Sequence, residues 1–571
     1  MERKGKFFWI CVFILVIFAI TIFATEKTDA KVLVFENCDD TSGWGTGGSS
    51  AILSLDYVDK IEGSASFNLT STSYGWGHIK ITNYDFWDWS DYNYISFWGK
   101  YDGRIESYIA PYLEIITYYN GDIQYHDWYP SYSSEWKLFT FNLREAPDLY
   151  YPQVEVVDFA VYFWNSGKHL HIDYIILSQN ATLVENMRTR ALYDSIQEAI
   201  NDAIPGDTLI AHTNSYDSIY EENVVINKSI TLIGDGAIIE PPSGDGIKVE
   251  TSNVVIRGFK IGGTALSGNG ILIGTGCSNV VVDNCEIYGF TNGIGLNGAV
   301  NCIINNTRIH GNTYGIYLST PGNKIKMTNN TGIYSNSYGI YLINANNNEI
   351  DGAIVYSNSN HGVYLLNSNY NTLTNATIHD NSQHGIYFYS SNGNIIKNSN
   401  IYSNADSSLD YCEIYLERSS YNTIQDSDIH DNNNCIIMLR FANFTSIKNN
   451  DIYNSRYGIY ILDSNNATIN YNNIYSNTRY GVFATDSSKD IDGQFNYWED
   501  ETGPYNETTH PEGKGDNITA SVDYSPWLGY AWPISPMIFY TNDVIQDAIN
   551  GARDGDIIKI FPGTYRERTL L

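Results

Sequence analysis

A unit of about 23 residues recurs along the second half of the 571-residue chain, and this repeat constrains the fold more than any other feature. The copies can be aligned on the aliphatic residue that usually follows a glycine: Ile247, Ile271, Ile294, Ile316, Ile340, Val363, Ile386, Ile414, Ile436, Ile459 and Val482. Successive steps are 24, 23, 22, 24, 23, 23, 28, 22, 23 and 23 residues. A period this regular predicts a solenoid, because one repeat cannot bury its apolar side chains alone.

Each copy contains short segments such as GIYL, NTI and DSDIHDN, separated by Asn, Ser, Gly and Asp. Segments this short are typical of strands rather than helices. Three strands per turn, each paired with its equivalent one turn later, predict a right-handed parallel β-helix with a rise of ~4.8 Å per coil. We therefore expect an all-β solenoid of about eleven coils, roughly 50 Å long.

Side chains alternate between the two faces of a strand, so the Ile and Leu of Ile-Tyr-Leu face inward and the Tyr faces outward. Two interior columns are expected, formed by Ile316, Ile340, Val363, Ile386, Ile414, Ile436 and Ile459, and by Leu318, Leu342, Leu365, Phe388, Leu416 and Ile461. The outward tyrosine stripe comprises Tyr317, Tyr341, Tyr364, Tyr387, Tyr415 and Tyr460, with a break at Ile437. A second outward column comprises Tyr288, His310, Tyr334, Tyr356, His379, Tyr402, His430, Tyr453 and Tyr475. Such rings either stack on one another or offer a platform for sugars.

Asparagine closes most copies, at Asn312, Asn336, Asn358, Asn381, Asn404, Asn432 and Asn477. Asparagine tolerates left-handed backbone and can hydrogen-bond to the same residue one coil away. We expect these residues to occupy the bends and to form a ladder.

The segment YDSIQEAINDAIPGDTLIA predicts a helix with Ile196, Ala199, Ile200, Ala203 and Ile204 on one face, ended by Pro-Gly-Asp. A helix there caps the open end of the first coil, and we expect the β-helix domain to span residues 187–530. Residues 544–567 repeat this entrance at a constant offset of 349. Residues 531–571 are therefore expected either to begin a second, truncated β-helix or to pack elsewhere.

Residues 31–179 lack the repeat and contain strand-like segments such as YISFWGKY and VDFAVYFW between Gly, Asp and Ser turns. This pattern predicts an antiparallel β-sandwich. Trp76, Trp87, Trp89 and Trp128 lie in loop-like or polar contexts. Exposed indole rings would stack on sugars, although a sandwich core can also bury several of them.

Residues 1–30 place three basic residues before an apolar run from Phe7 to Phe23. This pattern predicts export, either as a signal peptide cleaved after Ala30 or as a membrane anchor through residues 7–23. The rest of the chain is then extracellular or on the cell surface. Ten N-glycosylation sequons fit this location, at Asn68, Asn180, Asn227, Asn305, Asn329, Asn375, Asn443, Asn466, Asn506 and Asn517.

The net charge of -31 argues against a nucleic-acid partner, which needs clustered Lys and Arg. This charge suits a solvated surface protein that binds divalent cations. Cys412 and Cys435 lie one repeat apart and form either a bridge between coils or stacked buried thiols.

Residues 191–530 resemble the pectate-lyase-like right-handed β-helix proteins, in the branch with N-x-I and GIYL repeats found in NosD-like, carbohydrate-binding and sugar-hydrolase domains. Residues 31–179 resemble a jelly-roll carbohydrate-binding module, with VFENCDDTSGW as first strand and LHIDYIILSQ as last. The second resemblance implies a structural calcium ion near Glu36 and Asp173. Copper is not expected, because His379 and His430 are isolated and methionine is scarce.

For an enzyme, the resemblance implies outward carboxylates that act in hydrolysis, or with calcium and a basic residue in β-elimination. The NTD, GHG, RIK and DPHD signatures of such enzymes are absent. The irregular coil with the 28-residue step, which contains Asp406 and Asp410, is the best location. The candidate catalytic residues are Glu417, Asp428, His430, Asp431 and Arg440. Crowded carboxylates raise each other's pKa or recruit calcium, whereas the plainer interpretation is an acidic surface loop.

These patterns predict an exported cell-surface protein that binds polysaccharide or glycan through the jelly-roll domain and the tyrosine stripe. Two alternatives stay open. One is a polysaccharide lyase or glycosidase, and the other is a structural envelope or adhesion protein without catalysis.

Overall fold

The computed structural model describes residues 32–36, 38, 40–41, 43–46, 51–58, 60, 65–102, 111–120, 122–146, 149–214, 217–405, 411–533, 536–562 and 565. The chain divides into two compact units, Met1–Ala181 and Thr182–Leu571. The predicted export segment 1–30 lies outside the described residues, as do Asp406 and Asp410. None of the helices within the described ranges is long and apolar enough to cross a membrane.

The first unit is a sandwich of two antiparallel sheets. The six-stranded sheet contains Val32–Glu36, Ala51–Asp56, Ser66–Ser71, Tyr94–Tyr101, Lys137–Asn142 and His169–Ser178. The five-stranded sheet contains Trp44–Gly45, Gly75–Trp87, Tyr112–Tyr119, Asp122–Trp128 and Val154–Phe163, and short 3-10 helices span Leu143–Glu145 and Tyr151–Gln153. Alternate residues of both sheets form one core, in which Phe67, Phe97, Phe159 and Phe163 are fully buried.

The second unit is a parallel β-helix with three strands per coil. Face 1 contains Val184–Asn186, Leu192–Tyr193, Thr208–Ala211, Thr231–Gly234, Val255–Arg257, Val281–Asp283, Cys302–Asn305, Lys324–Thr328, Glu349–Asp351, Thr372–Thr374, Ile395–Lys397, Thr423–Gln425, Ser446–Lys448, Thr468–Asn470, Ile491–Asp492 and Val522–Asp523. The first two of these 16 strands pair antiparallel and the other 14 pair in parallel. The coils therefore exceed the eleven predicted, because the first and last coils lack the Gly-aliphatic motif used for alignment.

Faces 2 and 3 alternate along the chain within one 20-stranded sheet. Its strands are Ile219–Tyr220, Val224–Ile226, Ile238–Ile239, Ile247–Val249, Lys260–Ile273, Glu286–Leu296, Arg308–His310, Tyr314–Leu318, Gly332–Tyr334, Tyr338–Ile343, Ile354–Tyr356, Val363–Leu366, Thr377–His379, Ile386–Tyr389, Asn400–Tyr402, Cys412–Glu417, Asp428–Arg440, Asp451–Leu462, Asn473–Tyr475 and Tyr480–Ala484. In each coil, face 2 follows face 1 and face 3 follows face 2, so Arg308–His310 belongs to face 2 and Tyr314–Leu318 to face 3.

Equivalent residues of successive coils pair in register, as the repeat predicts. Ile316 pairs with Ile340, Ile340 with Val363 and Val363 with Ile386, and all four side chains are buried. One alignment was wrong: Ile437, not Ile436, pairs with Ile414, and Met438 takes the outward position beside Tyr415. The cause is a register shift between Asn432 and Cys435, which adds a residue to the bend.

The bend between faces 2 and 3 carries the asparagine ladder. Each Nδ2 donates to the Oδ1 one coil later, at 3.1, 3.2, 2.8 and 2.8 Å along Asn312, Asn336, Asn358, Asn381 and Asn404. The fully buried Glu413 then replaces the expected Asn404–Asn432 contact, because both amides donate to its carboxylate. The ladder residues are not left-handed; the preceding residues are, at Ser335, Ser357, Asp380, Ser403, Asp431 and Ser476.

The predicted capping helix forms at Ile196–Asp202, where Ser195 accepts a hydrogen bond from the Glu198 N–H. Ile196, Ala199 and Ile200 are buried, whereas Ile204 lies beyond the helix and is exposed. A second helix of this kind, Ile545–Gly551, connects two strands that pair in parallel, Ile538–Thr541 and Ile557–Ile560. Trp527–Leu528 pairs antiparallel with the first of these strands. A short pair, Pro504–Tyr505 and Gly515–Asn517, precedes this sheet.

The C-terminal segment packs against the last coils. Trp532 exchanges two hydrogen bonds with Asn473, at 2.6 Å each, and Phe539 contacts Phe495 edge to face. The C-terminal segment repeats the order of helix and then strand that begins the β-helix. The assignment of residues 531–571 to a second β-helix stays a prediction.

Candidate functional site

An exposed aromatic group lies on the outer face of the five-stranded sheet of the sandwich. Trp76 and Tyr162 are direct cross-strand partners, and their rings meet edge to face at 5.2 Å. Trp76 also contacts Tyr112 at 5.8 Å, and Tyr112 contacts Tyr129 at 5.7 Å. Because these contacts are edge-on or tilted, ring faces stay available; Trp76 is 38% exposed and Tyr129 is 62% exposed.

Three carboxylates lie side by side on the same face. Asp158 pairs in register with Glu114, and Glu114 pairs with Asp127 on the next strand. Burial raises the pKa of Glu114, and the charges of Asp127 and Asp158 raise it further. His78 lies 3.0 Å from Asp158, and Tyr129 donates to Asp127 at 3.3 Å. The other oxygen of Asp127, Oδ1, is buried and has no hydrogen-bond partner within the described residues.

We name these seven residues the outer patch: Trp76, Tyr112, Tyr129, Tyr162, Glu114, Asp127 and Asp158. Only Trp76 was identified from the sequence as a binding residue. The alternation in VDFAVYFW places Asp158 and Tyr162 on one face of a strand, but which strands flank it depends on long-range pairing.

The other three predicted tryptophans do not belong to this patch. Trp89 is 1% exposed and Trp128 is 5% exposed, so both rings are in the sandwich core. Trp87 is partly buried against that core and stacks on Trp89. Trp76, Trp87 and Trp128 lie at or next to the ends of strands rather than in loops. The rings of Trp87, Trp89 and Trp128 pack on protein neighbours, and this leaves Trp76 as the exposed member.

The tyrosine stripe on face 3 stacks on itself. Tyr364 and Tyr387 are 5.0 Å apart with 6° between ring planes, and Tyr387 and Tyr415 are 5.2 Å apart with 13°. Tyr341 is 9% exposed, and burial raises its pKa to about 12. Tyr317 and Tyr341 are tilted at 5.9 Å, and Met438 separates Tyr415 from Tyr460. Ring faces that pack on each other are not available to a sugar.

The second outward column on face 2 stacks even more regularly. Its nine rings are 4.7–5.7 Å apart, with at most 19° between neighbouring planes, from Tyr288 through His310, Tyr334, Tyr356, His379, Tyr402, His430 and Tyr453 to Tyr475. This geometry follows from aromatic side chains, Tyr or His, at equivalent positions one coil apart.

The predicted catalytic residues form two groups on different faces. On face 3, the Glu417 carboxylate accepts from Tyr387 at 2.7 Å and from Arg440 at 3.3 Å. On face 2, His430 lies 2.9 Å from Asp431 and 3.9 Å from Asp428. The structure therefore does not gather the five side chains into one site.

Asp428 has a second carboxylate beside it, because it pairs in register with Asp451 on the next coil. Burial raises the pKa of Asp428, and Asp451 adds to this rise while His430 opposes it.

Two histidines beside the tyrosine stripe were missed by sequence reasoning. His361 and His384 are buried and stacked at 5.3 Å, and burial lowers their pKa to about 4 and about 3. The His384 ring accepts from the Cys412 N–H at 3.0 Å. Cys412 itself is bonded to Cys435, so the two coils are bridged and the stacked-thiol alternative is wrong.

The predicted calcium donors lie near each other in the sandwich. The charges of Asp173 and Glu36 both add to the raised pKa of the buried Cys38 thiol, whose main cause is desolvation. However, Glu36 accepts the Cys38 N–H and the Trp44 indole N–H, at 2.9 and 2.8 Å. No group of three or more metal-ligating residues occurs within the described ranges. These two carboxylates alone do not form a calcium shell, and the ion stays a prediction.

Comparison with a known cell-surface protein gives a partial match. A cell surface glycoprotein of Methanothermus fervidus is 36% identical over 123 residues, which are 19% of this chain and 20% of that protein. The chain thus spans about a fifth of the length of this curated relative.

Solved structures match in part at low sequence identity. The A-module of the Azotobacter vinelandii mannuronan C-5 epimerase AlgE4 aligns with a TM-score of 0.35 and 20% identity, over 46% of this chain and 92% of that one. A family 11 carbohydrate-binding module from a Clostridium thermocellum cellulase aligns with a TM-score of 0.22 and 17% identity, over 27% and 97%.

The family model described as "right handed beta helix region" matches residues 213–334, 314–437 and 407–498, which together cover half of the chain. These residues form the coils of faces 1, 2 and 3. By sequence and by architecture, the chain belongs to the right-handed β-helix family.

Proposed function

We propose that this chain is a cell-surface protein that binds glycan through the outer patch of its sandwich. The observation that carries the proposal is the combination, on one sheet face, of exposed ring faces with three adjacent carboxylates. Aromatic faces pack on the apolar faces of sugar rings, and carboxylates accept hydrogen bonds from sugar hydroxyls. The surface location is supported by the predicted export segment and by the cell surface glycoprotein relative.

We assign the tyrosine stripe mainly a structural role. The ring faces of Tyr364, Tyr387 and Tyr415 pack on one another, so a glycan at these residues would meet ring edges and hydroxyl groups. We therefore place sugar stacking at Trp76 and Tyr129 rather than along the β-helix. The β-helix then serves as a rigid support, because hydrogen bonds between ladder asparagines join its coils.

Affinity gel electrophoresis with a panel of soluble polysaccharides tests this assignment. Trp76→Ala should abolish most of the retardation that a bound glycan causes, since stacking on an aromatic ring contributes about 1–3 kcal/mol of binding free energy. Tyr57→Ala is the matched control, because Tyr57 is 64% exposed and lies outside the outer patch. Equal retardation of both variants would contradict the proposal, as would the absence of any retarded parent protein.

A second function, cleavage of glycan, is favoured by Asp428 and Asp451. A carboxyl group with a raised pKa beside a second carboxylate is the arrangement of an acid and base pair. If the chain is an enzyme, Asp428→Asn should abolish the release of new reducing ends or unsaturated products. If this variant still releases such products, Asp428 is not a catalytic residue.

A further inference from the structure

The bend between faces 2 and 3 carries a polar groove at its C-terminal end. The groove has a volume of about 640 Å³ and is lined by Asn432, Asn433, Asn454, Ser455, Arg456, Ser476, Thr478 and Arg479. We call it the arginine groove. It lies in the β-helix, and neither the outer patch nor the tyrosine stripe contributes to its lining.

Arg456 and Arg479 occupy equivalent positions on neighbouring coils, since the Arg479 N–H donates to the Arg456 carbonyl at 3.0 Å. Both guanidinium groups lie 5.4 Å from the centre of the Tyr457 ring. Arg479 also donates to the Tyr457 hydroxyl. The buried tyrosine thus holds two cationic groups side by side at the edge of the groove.

These arginines differ from five other arginines of the β-helix. Arg188, Arg190, Arg257, Arg308 and Arg440 each lie within 3.3 Å of a carboxylate. Arg456 and Arg479 have no ion-pair partner in the part of the chain that the structure describes. Two carboxylates accept hydrogen bonds from other groove residues, since the Ser476 N–H donates to Glu499 and the Asn454 side chain donates to Asp431. In a chain with a net charge of -31, a pair of unneutralised arginines is a local exception.

The asparagine ladder is also interrupted here. Ser455 takes the place between Asn432 and Asn477, as its register with Asn432 shows. Ser455 is 5% exposed, and its hydroxyl has no hydrogen-bond partner within the described residues. The Oδ1 atom of Asn477 is also buried and has no hydrogen-bond partner within the described residues. Buried polar groups without partners are costly unless water or a ligand satisfies them, so this second observation also points to an occupant.

We propose that the arginine groove binds the oxyanion group of an acidic glycan, either the carboxylate of a uronic acid or a sulfate ester. Planar guanidinium groups recognise such anions with two hydrogen bonds each. The flanking Ser, Thr and Asn side chains supply donors and acceptors for neighbouring sugar hydroxyls. This site goes beyond the proposed function, because it differs from the outer patch in place and in ligand chemistry.

The test is isothermal titration of the full chain with three probes at 0.15 M salt: polygalacturonate, dextran sulfate and uncharged dextran. At this ionic strength the Debye length is about 8 Å, so the overall negative charge is screened while contacts inside the groove persist. Arg456→Gln combined with Arg479→Gln should weaken binding of one or both acidic polymers about tenfold or more. The acidic polymer whose binding is weakened shows whether the groove recognises a carboxylate or a sulfate ester.

Arg418→Gln is the matched control, because Arg418 is an exposed arginine 5.9 Å from the centre of the Tyr389 ring and outside the groove. It should bind as the parent does. The inference is overturned if neither acidic polymer binds the parent, if the double variant binds equally well, or if uncharged dextran binds as tightly. It is also overturned if inorganic sulfate at the same charge concentration displaces the polymer, because the groove would then be a simple anion site.

Discussion

At the scale of single residues, one asparagine can join three coils. The Asn381 side chain donates to Asn404 Oδ1 at 2.8 Å and to the Val355 and His379 carbonyls. Its Oδ1 accepts from both the backbone N–H and the Nδ2 of Asn358, at 3.1 and 2.8 Å. Since all these groups are buried, each loses water on folding and depends on its neighbour.

Asn381→Ala should therefore destabilise the β-helix. The substitution leaves the buried Asn358 N–H without a partner, and an unsatisfied group of this kind costs about 1–3 kcal/mol. Thermal or urea unfolding followed by circular dichroism measures the loss. Asn360→Ala is the control, because no side-chain hydrogen bond of Asn360 occurs in the described part of the coil. Equal stability of the two variants would show that the ladder contributes nothing.

Asp516 ends the ladder and makes it sensitive to pH. Burial raises its pKa to about 7, and the Asn477 amide and backbone N–H, which donate to it, oppose this rise. The folded pKa exceeds the unfolded value, so folding takes up a proton between the two. Its stabilising contribution is complete below about pH 4 and is lost as the pH rises towards 7.

We expect the free energy of unfolding of Asp516→Asn to depend less on pH between 4 and 7 than that of the parent. Denaturant unfolding at several pH values measures the slope. Asp486→Asn removes an exposed carboxylate and should keep the parental slope. A parental slope in Asp516→Asn would mean that another group titrates in this range.

At the scale of elements, the irregular coil is stabilised by two devices that replace the regular ladder. Glu413 takes the position of an asparagine, and the Cys412–Cys435 bond joins this coil to the next. Cys412, Cys435 and Tyr457 form a small buried cluster beside the tyrosine stripe. The coil therefore tolerates its longer loop because its ends are held covalently and by a buried carboxylate.

Removal of this bond should lower the stability of the β-helix. Cys412→Ala combined with Cys435→Ala opens a loop of 23 residues, and loops of this length contribute about 3 kcal/mol in the chain-entropy model. Unfolding with and without a reductant measures the effect. The reductant should destabilise the parent and leave the double variant unchanged; a parent that is insensitive to reductant would contradict the assigned bond.

The repeat predicted the elements well where each coil copies the last. Ile316, Ile340 and Val363 could be placed inside and Tyr317, Tyr341 and Tyr364 outside, because alternation and period together fix the face. The shift from Ile436 to Ile437 could not be predicted, since a one-residue bulge leaves the spacing within its normal range. The outer patch could not be predicted either, because Trp76, Tyr112 and Tyr162 meet only through antiparallel pairing in the sandwich.

At the scale of the whole molecule, the chain combines a sandwich that has an exposed aromatic and acidic face with a β-helix whose outward rings stack on one another. The two units therefore differ in what they offer to a glycan: open ring faces in the first, and mostly ring edges, hydroxyls and the arginine groove in the second.

The most direct measurement combines titration of the intact chain with soluble polysaccharides and assay of the same samples for new reducing ends or unsaturated products. The proposed function predicts saturable binding of at least one polymer, weakened by Trp76→Ala, with no new products over the course of the titration. Product formation in the parent would make the chain an enzyme. Absence of binding across the panel would contradict glycan recognition altogether.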